Sequence, residues 1–267
     1  MKRLYVFAVL IAVFVLLAGC AAKNINPRPK FSLAAETTGQ KYAALISGQT
    51  EERHVKNIET AYNVLLKSGF LRKNIIIFDA TGNQNRSYPV NAPADAKSIR
   101  LCFRYLANKI GPNDLLFVYV TDHGRLDERL LIPDTCGTIL SQHPKKQKIA
   151  EIGLFGRYLD EFDFSACVDK IKPGAGIFVF TQCYGGGFAE RLAGKNRITI
   201  SANEKDAVCD GRAFSKLFFS AFSRETADKD ADGKISISEA FEYTLENNNS
   251  FQQPQMFYRA DHEVFLD

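Results

Sequence analysis

The chain has no large surplus of charge of either sign: 34 basic residues stand against 30 acidic ones, a net charge of +4. Without a polybasic stretch there is no electrostatic footprint for nucleic acid, so none is expected as a partner. It also has no internal repeat and no low-complexity tract, which sets aside solenoids and extended disorder. Histidine is scarce, at four residues, and no H-E-x-x-H pair of metal ligands occurs. There is no G-x-S-x-G nucleophile elbow, and Gly194-Lys195 is followed by Asn196 without the earlier glycine of a phosphate-binding loop. These gaps argue against zincin, serine-hydrolase and nucleotide-binding chemistry, and no organic cofactor is expected. What is present is apolar material: 46% of 267 residues, with 24% charged. That is enough to bury the core of one α/β domain of generous size.

The amino terminus has a layout of its own. Lys2 and Arg3 precede an apolar run from Leu4 to Leu17, which is too short and too unevenly flanked for an ordinary membrane span. Leu17-Ala18-Gly19-Cys20 then closes it with small residues before a cysteine. This resembles the lipobox of bacterial lipoproteins, which implies a leader over 1–19, lipid on Cys20 and attachment to the cell envelope. The outer membrane or periplasmic face is the expected location. Residues 20–40 are polar, contain Pro27 and Pro29, and read as a tether. Of the remaining cysteines, Cys102, Cys136, Cys167 and Cys209 form an even set in a compartment that permits disulfides, but they serve equally well as buried thiols.

From Lys41 onward, short apolar runs alternate with helical patterns. Tyr42–Ile46 reads as a strand, and Val55, Ile58, Ala61, Tyr62 and Leu65 mark one helix face. Asn74–Phe78 is the next strand and 80–95 a loop. Ala96–Ile110 reads as a helix, and Leu115–Val120 is the most apolar strand. Residues 125–153 are read as irregular, with a short excursion at Leu130-Leu131-Ile132. Arg157–Ile171 is predicted helical, followed by strands at Ile177–Phe180 and Arg197–Ile200. Helices at Gly211–Arg224 and Ile237–Asn247 complete the pattern. Repeated strand–helix–strand units imply a mainly parallel sheet covered on both faces.

Two strands run into unusual chemistry. Leu115–Val120 leads into Thr121-Asp122-His123-Gly124, and Ile177–Phe180 leads into Thr181-Gln182-Cys183-Tyr184, then three glycines. Functional groups of open α/β sheets gather beyond the carboxyl ends of the strands. A thiol and an imidazole at two such ends suit nucleophilic catalysis. His123 would take the thiol proton and return it to a leaving amine, and a helix opening after Cys183 would favour the thiolate. Backbone N–H groups of Gly124 and Cys183 would face an oxyanion. Glycines beside both residues would let substrate backbone approach closely.

In this combination the chain is similar to legumain-type cysteine peptidases, which share a fold with caspases, clostripain and gingipains. The likeness runs from about Lys41 to Arg224. It rests on an opening strand, Arg53-His54 at the start of a helix, the strand ending in Thr-Asp-His-Gly, the strand leading to Cys183, and Ile198–Ala202 after it. The resemblance implies a three-layer caspase-like α/β fold with a mainly parallel sheet of about six strands. It also implies peptide substrates bound by Arg53, His54, Thr181 and Ser201, and a thioester acyl-enzyme on Cys183 that water resolves. Asn or Asp before the cut bond is the first expectation, although Thr181 replaces the acidic residue or glutamine found at that place in relatives. Transfer to another amine would make the protein a transamidase or ligase. A catalytically silent envelope scaffold and a non-peptidase thiol hydrolase are the rival functions.

Residues 228–239, Asp-Lys-Asp-Ala-Asp-Gly-Lys-Ile-Ser-Ile-Ser-Glu, match the EF-hand loop at its diagnostic positions. Asp228, Asp230, Asp232, the Lys234 carbonyl, Ser236 and Glu239 are the expected ligands of one Ca2+ ion. An acidic turn capping the following helix would need no metal. The expected organisation is thus a caspase-like domain over 41–224 and an EF-hand-like helix–loop–helix with a C-terminal segment over 225–267.

Overall fold

The computed structural model describes residues 39–82, 85–130 and 146–267. The proposed leader, Cys20, most of the tether and Cys136 lie outside these. The elements are β1 (Lys41–Ser47), α1 (Glu52–Lys67), β2 (Ile75–Asp79), α2 (Ala96–Lys109), β3 (Leu115–Val120), β4 (Gly124–Leu130), β5 (Lys146–Gly153) and β6 (Tyr158–Asp160). There follow α3 (Glu161–Val168), β7 (Ala175–Phe180), α4 (Gly185–Leu192), β8 (Arg197–Ser201), α5 (Arg212–Ala221), α6 (Ile237–Asn247) and β9 (Gln255–Tyr258). Among the described residues, no helix is long and apolar enough to cross a membrane.

The central sheet has six strands in the order β2-β1-β3-β7-β8-β9. All neighbours run parallel except β9, which pairs antiparallel with β8. The three-layer α/β expectation therefore holds. Its cause is visible in β3, where all six residues are buried. Leu115, Phe117 and Tyr119 join the core under α1, α5 and α6. Leu116, Val118 and Val120 join the one under α2, α3 and α4. A strand that is apolar at every position suits a sheet covered on both sides, since consecutive side chains point to opposite faces. Phe164 on α3 locks the second core, with its ring 5.2 Å from that of Phe103 and 5.7 Å from those of Phe180 and Phe188.

Three expectations change. Residues 125–153 are not irregular where described: β4 and β5 form an antiparallel pair from Gly124↔Ile152 to Leu130↔Lys146, and β6 adds a third strand. The alternation was hidden by charge, because Arg125 and Arg129 both reach the buried carboxylate of Glu151 across this small sheet. The helix expected at Arg157–Ile171 begins only at Glu161, where Asp160 caps it by accepting from Asp163 N. Finally, 225–267 is no appendage. β9 forms an edge of the main sheet, and Ile237, Ala240 and Phe241 lie in the core shared with α1 and α5. Cys102, Cys167, Cys183 and Cys209 are free thiols.

Truncating Phe164 to Ala would remove a ring that is 0% exposed and leave a cavity between three other rings. A loss of about 3–5 kcal/mol in unfolding free energy is expected by chemical denaturation, with the fold retained.

Candidate active site

The register of two strands builds the site. β3 and β7 pair from Leu115↔Ala175 to Val120↔Phe180, and Thr181 N continues the ladder to Val120 O at 2.9 Å. Both strands leave the sheet at the same level, so His123 and Cys183 stand equally far beyond it. The two segments are in close contact: a Cβ on Gly124 would lie 2.0 Å from the carbonyl oxygen of Cys183. No other residue fits at position 124. Past the cysteine, a Cβ on Gly186 would lie 2.4 Å from Lys205 N. These glycines are thus required by internal packing, whereas the sequence suggested room for a substrate.

Cys183 is half-buried and His123 exposed. The Cys183 thiol lies 3.0 Å from the carbonyl of Cys209, to which it donates, and accepts from Cys209 N at 3.1 Å. Tyr184 follows in the left-handed region, φ 61°, and caps α4. Strained backbone of this kind persists where surrounding structure enforces it. The Cys209 sulfur accepts from Gly211 N at 3.1 Å and Gln252 Nε2 at 3.0 Å, and burial pushes its thiol up to about 12. Cys209 is therefore a structural thiol.

His123 does not hydrogen-bond to the thiol. Its Nε2 meets Glu51 Oε1 at 3.0 Å, its ring lies edge-on to that of His54 with centroids 5.5 Å apart, and Arg53 Nη2 is 3.3–3.4 Å from both ring nitrogens. Arg53 also donates to Glu51 Oε2 and to Asp210 O, each at 3.0 Å. The hydrogen bond from His123, then that from Arg53, holds the Glu51 carboxyl down to about 2.

His54 is 2% exposed. Its Nδ1 bonds with Thr121 Oγ1 at 2.9 Å, and Asn57 Nδ2 donates to the same hydroxyl at 3.0 Å. Its Nε2 is buried without a hydrogen bond, 3.5 Å from Glu51 Oε2. Burial, aided by the Arg53 charge and opposed by Glu51, lowers this imidazole to about 4. Asp122, also buried, accepts from Gly48 N, Gln49 Nε2 and His123 N; burial outweighs these donors and raises it to about 7. Gln49 additionally donates to Gly153 O at 2.9 Å, so Asp122 ties the β1–α1 loop to the base of the histidine.

Of the four expected substrate contacts, Arg53 presents polar atoms at the surface, whereas His54 is buried with its Nδ1 turned to Thr121. Thr181 and Ser201 do not meet that expectation. Both are buried, with Thr181 Oγ1 donating to Val120 O at 3.1 Å and Ser201 Oγ to Asn203 O at 2.7 Å. Their hydroxyls satisfy the sheet edge. Glu51, Asp122, Gln49 and Cys209 were missed by sequence reasoning. Only Asp122, wedged between a buried strand and His123, carried a local signal.

In the acidic loop, the carboxylates of Asp228, Asp230 and Asp232 converge within 4.8 Å. Gly233 makes the turn at φ 85°. Lys234 contributes its N–H to Asp232 Oδ1 at 2.8 Å. Ser236 and Glu239 instead close a capping box on α6, and Glu239 Oε1 accepts from Lys229 N at 2.7 Å. The helix expected to lead into the loop as far as Arg224 ends at Ala221, and a 3-10 turn at Glu225–Ala227 makes the approach.

No family model matches the chain, and no curated protein matches it. The fold is similar to the crystal structure of protein GSU0716 from Geobacter sulfurreducens. That likeness has a TM-score of 0.54 at 14% identity, over 83% of this chain and 94% of that one. It shows a common fold.

The lowered imidazole has a consequence for stability. An unfolded histidine takes up its proton near pH 6.5, whereas folded His54 resists until about 4. Between those values the unfolded chain binds more protons, so stability is complete above about 6.5 and is lost as pH falls. The His54 share is roughly 2 kcal/mol, discounted for its partial solvent screening. Urea unfolding of wild type and His54→Asn across pH 7 to 4 should show a shallower slope in the variant.

Proposed function

We propose that the chain is a cysteine peptidase of the legumain type, with Cys183 as nucleophile and His123 as its proton-transfer partner. The observation that carries this is a half-buried thiol and an exposed imidazole at corresponding positions past the paired ends of neighbouring parallel strands, with Gly124 packed against the Cys183 carbonyl. Nucleophilic catalysis needs this juxtaposition. The Cys209 N–H is directed at the sulfur, and α4 starts just after it.

In the reaction, Cys183 Sγ attacks a peptide carbonyl and its proton passes to His123. Collapse of the tetrahedral adduct breaks the C–N bond, and the imidazolium protonates the departing amine. Water then hydrolyses the thioester; another amine in its place gives transamidation. His123 must first turn from Glu51 toward the cleft, a rearrangement expected of catalytic hydrogen bonds that tighten only around substrate. Arg53, fixed through Asp210 O, would receive the side-chain oxygen of Asn or Asp before the cut bond. Lipid attachment through Cys20, with location in the bacterial envelope, completes the proposal and rests on the leader sequence.

A peptidyl acyloxymethyl ketone with Asn or Asp beside the warhead should add one mass increment at Cys183. Labelling should vanish in Cys183→Ala and slow by about 10²-fold or more in His123→Ala. No labelling of the folded wild type would instead favour a silent scaffold.

We also propose that the 228–239 loop holds one Ca2+ ion. Its donors are oxygens, as calcium prefers, and Asp228 Oδ1 is a buried oxygen without a hydrogen-bond partner beside two further carboxylates. When bound, the ion would offset the repulsion among Asp228, Asp230 and Asp232 and brace α6 against the core. Adding a calcium chelator should lower Tm by several degrees, reversibly with Ca2+, and Asp228→Ala should abolish the response; an unchanged Tm would sink the assignment.

A further inference from the structure

We propose that Glu51, His54 and His123 form a binding site for a divalent transition-metal ion of the zinc class, and that this ion silences the thiol by holding His123. The silencing rests on the peptidase reading above; the site does not.

The ligating atoms of these residues lie within 4.8 Å of one another. Glu51 Oε1 is 3.0 Å from His123 Nε2, and Glu51 Oε2 is 3.5 Å from His54 Nε2. Ligands about 2.1 Å from a tetrahedral ion stand about 3.4 Å apart, so small side-chain adjustments suffice. His54 carries the argument furthest. Its ring is fixed through Nδ1 by Thr121, which is held in turn by Asn57. Its Nε2 is sealed from solvent, aimed at Glu51 and unpartnered. A buried polar atom without a partner calls for an explanation. A ligand histidine whose second nitrogen is oriented by a hydrogen bond has the construction of a metal site.

The donor chemistry selects the metal. Two imidazoles and one carboxylate suit zinc and its neighbours, whereas the Asp228–Asp232 loop offers the oxygens that calcium takes. Glu51 and His123 are exposed, so ions can reach the site and a coordination position remains open to solvent. Arg53 opposes the ion: it donates to Glu51 at 3.0 Å and approaches both His123 nitrogens. A metal must displace these contacts, while the bond to Asp210 O gives the guanidinium a second anchor. Arginine and metal are therefore competitors for Glu51 and His123. An imidazole that donates its lone pair to a metal cannot accept a proton from Cys183.

The test titrates Co2+ into the Cys183→Ala chain with excess Ca2+, following the visible d–d absorption. Removing Cys183 excludes a thiolate ligand, and Ca2+ fills the acidic loop. One equivalent of Co2+ is expected to bind and Zn2+ to displace it. His54→Ala and the surface change Glu51→Gln should each weaken binding by about 10-fold or more, with circular dichroism verifying the fold. Arg53→Ala should bind more tightly. In the Cys183 chain, Zn2+ should slow electrophile labelling, and Glu51→Gln should relieve that effect. Absent binding, or binding indifferent to both Glu51→Gln and His54→Ala, overturns the site. Binding as expected without any labelling, with or without metal, sustains the site and removes the peptidase reading and the silencing. Labelling without metal binding removes this inference alone.

Discussion

The in-register pairing of β3 with β7 is the constraint on which the site depends. Because Val120 faces Phe180, each residue past the sheet on one strand has a counterpart at the same depth on the other. A register slip would turn every side chain of the strand to the opposite face and exchange the two cores. The alternation of Phe117 and Tyr119 with Val118 and Val120 between those cores fixes the register through apolar burial. The placement of the thiol and the imidazole is thus set by apolar groups remote from both.

Around this frame, polar groups are graded by depth. Asp122 is sealed beneath the histidine and raised by burial, while Glu51 is exposed and lowered by its hydrogen bonds with His123 and Arg53. The two carboxyls therefore act on His123 at different places, Asp122 on its backbone N–H and Glu51 on its ring. Arg53 spans Glu51 and Asp210, so the α1 start and the loop before α5 share one cation. Few of these groups can be changed without disturbing their neighbours.

The sheet was legible because strands apolar at every position admit few alternatives: β3 was expected at its observed bounds, and α6 likewise. The β4–β5 pair was not, since its charged residues satisfy one another across strands and mask the alternation. β9 was hidden for a different reason, because Gln255–Tyr258 is an edge strand with every residue partly exposed. In the site, the thiol and the imidazole were readable from their strand ends. Glu51 was not, because a carboxylate before a helix looks like any capping charge until the fold brings it to His123, 72 residues away. Thr181 and Ser201 are buried, with their hydroxyls on backbone carbonyls, because a position near a strand end says nothing of which way a hydroxyl turns.

Lys41 opens β1 at the amino-terminal edge of the sheet, where its ammonium donates to Ser68 O at 2.9 Å and Leu266 O at 2.8 Å. Strands of six or seven residues separate that edge from the one bearing Cys183, a span of about 20 Å. Gly39 and Gln40, which lead into β1, consequently lie at the pole remote from the thiol.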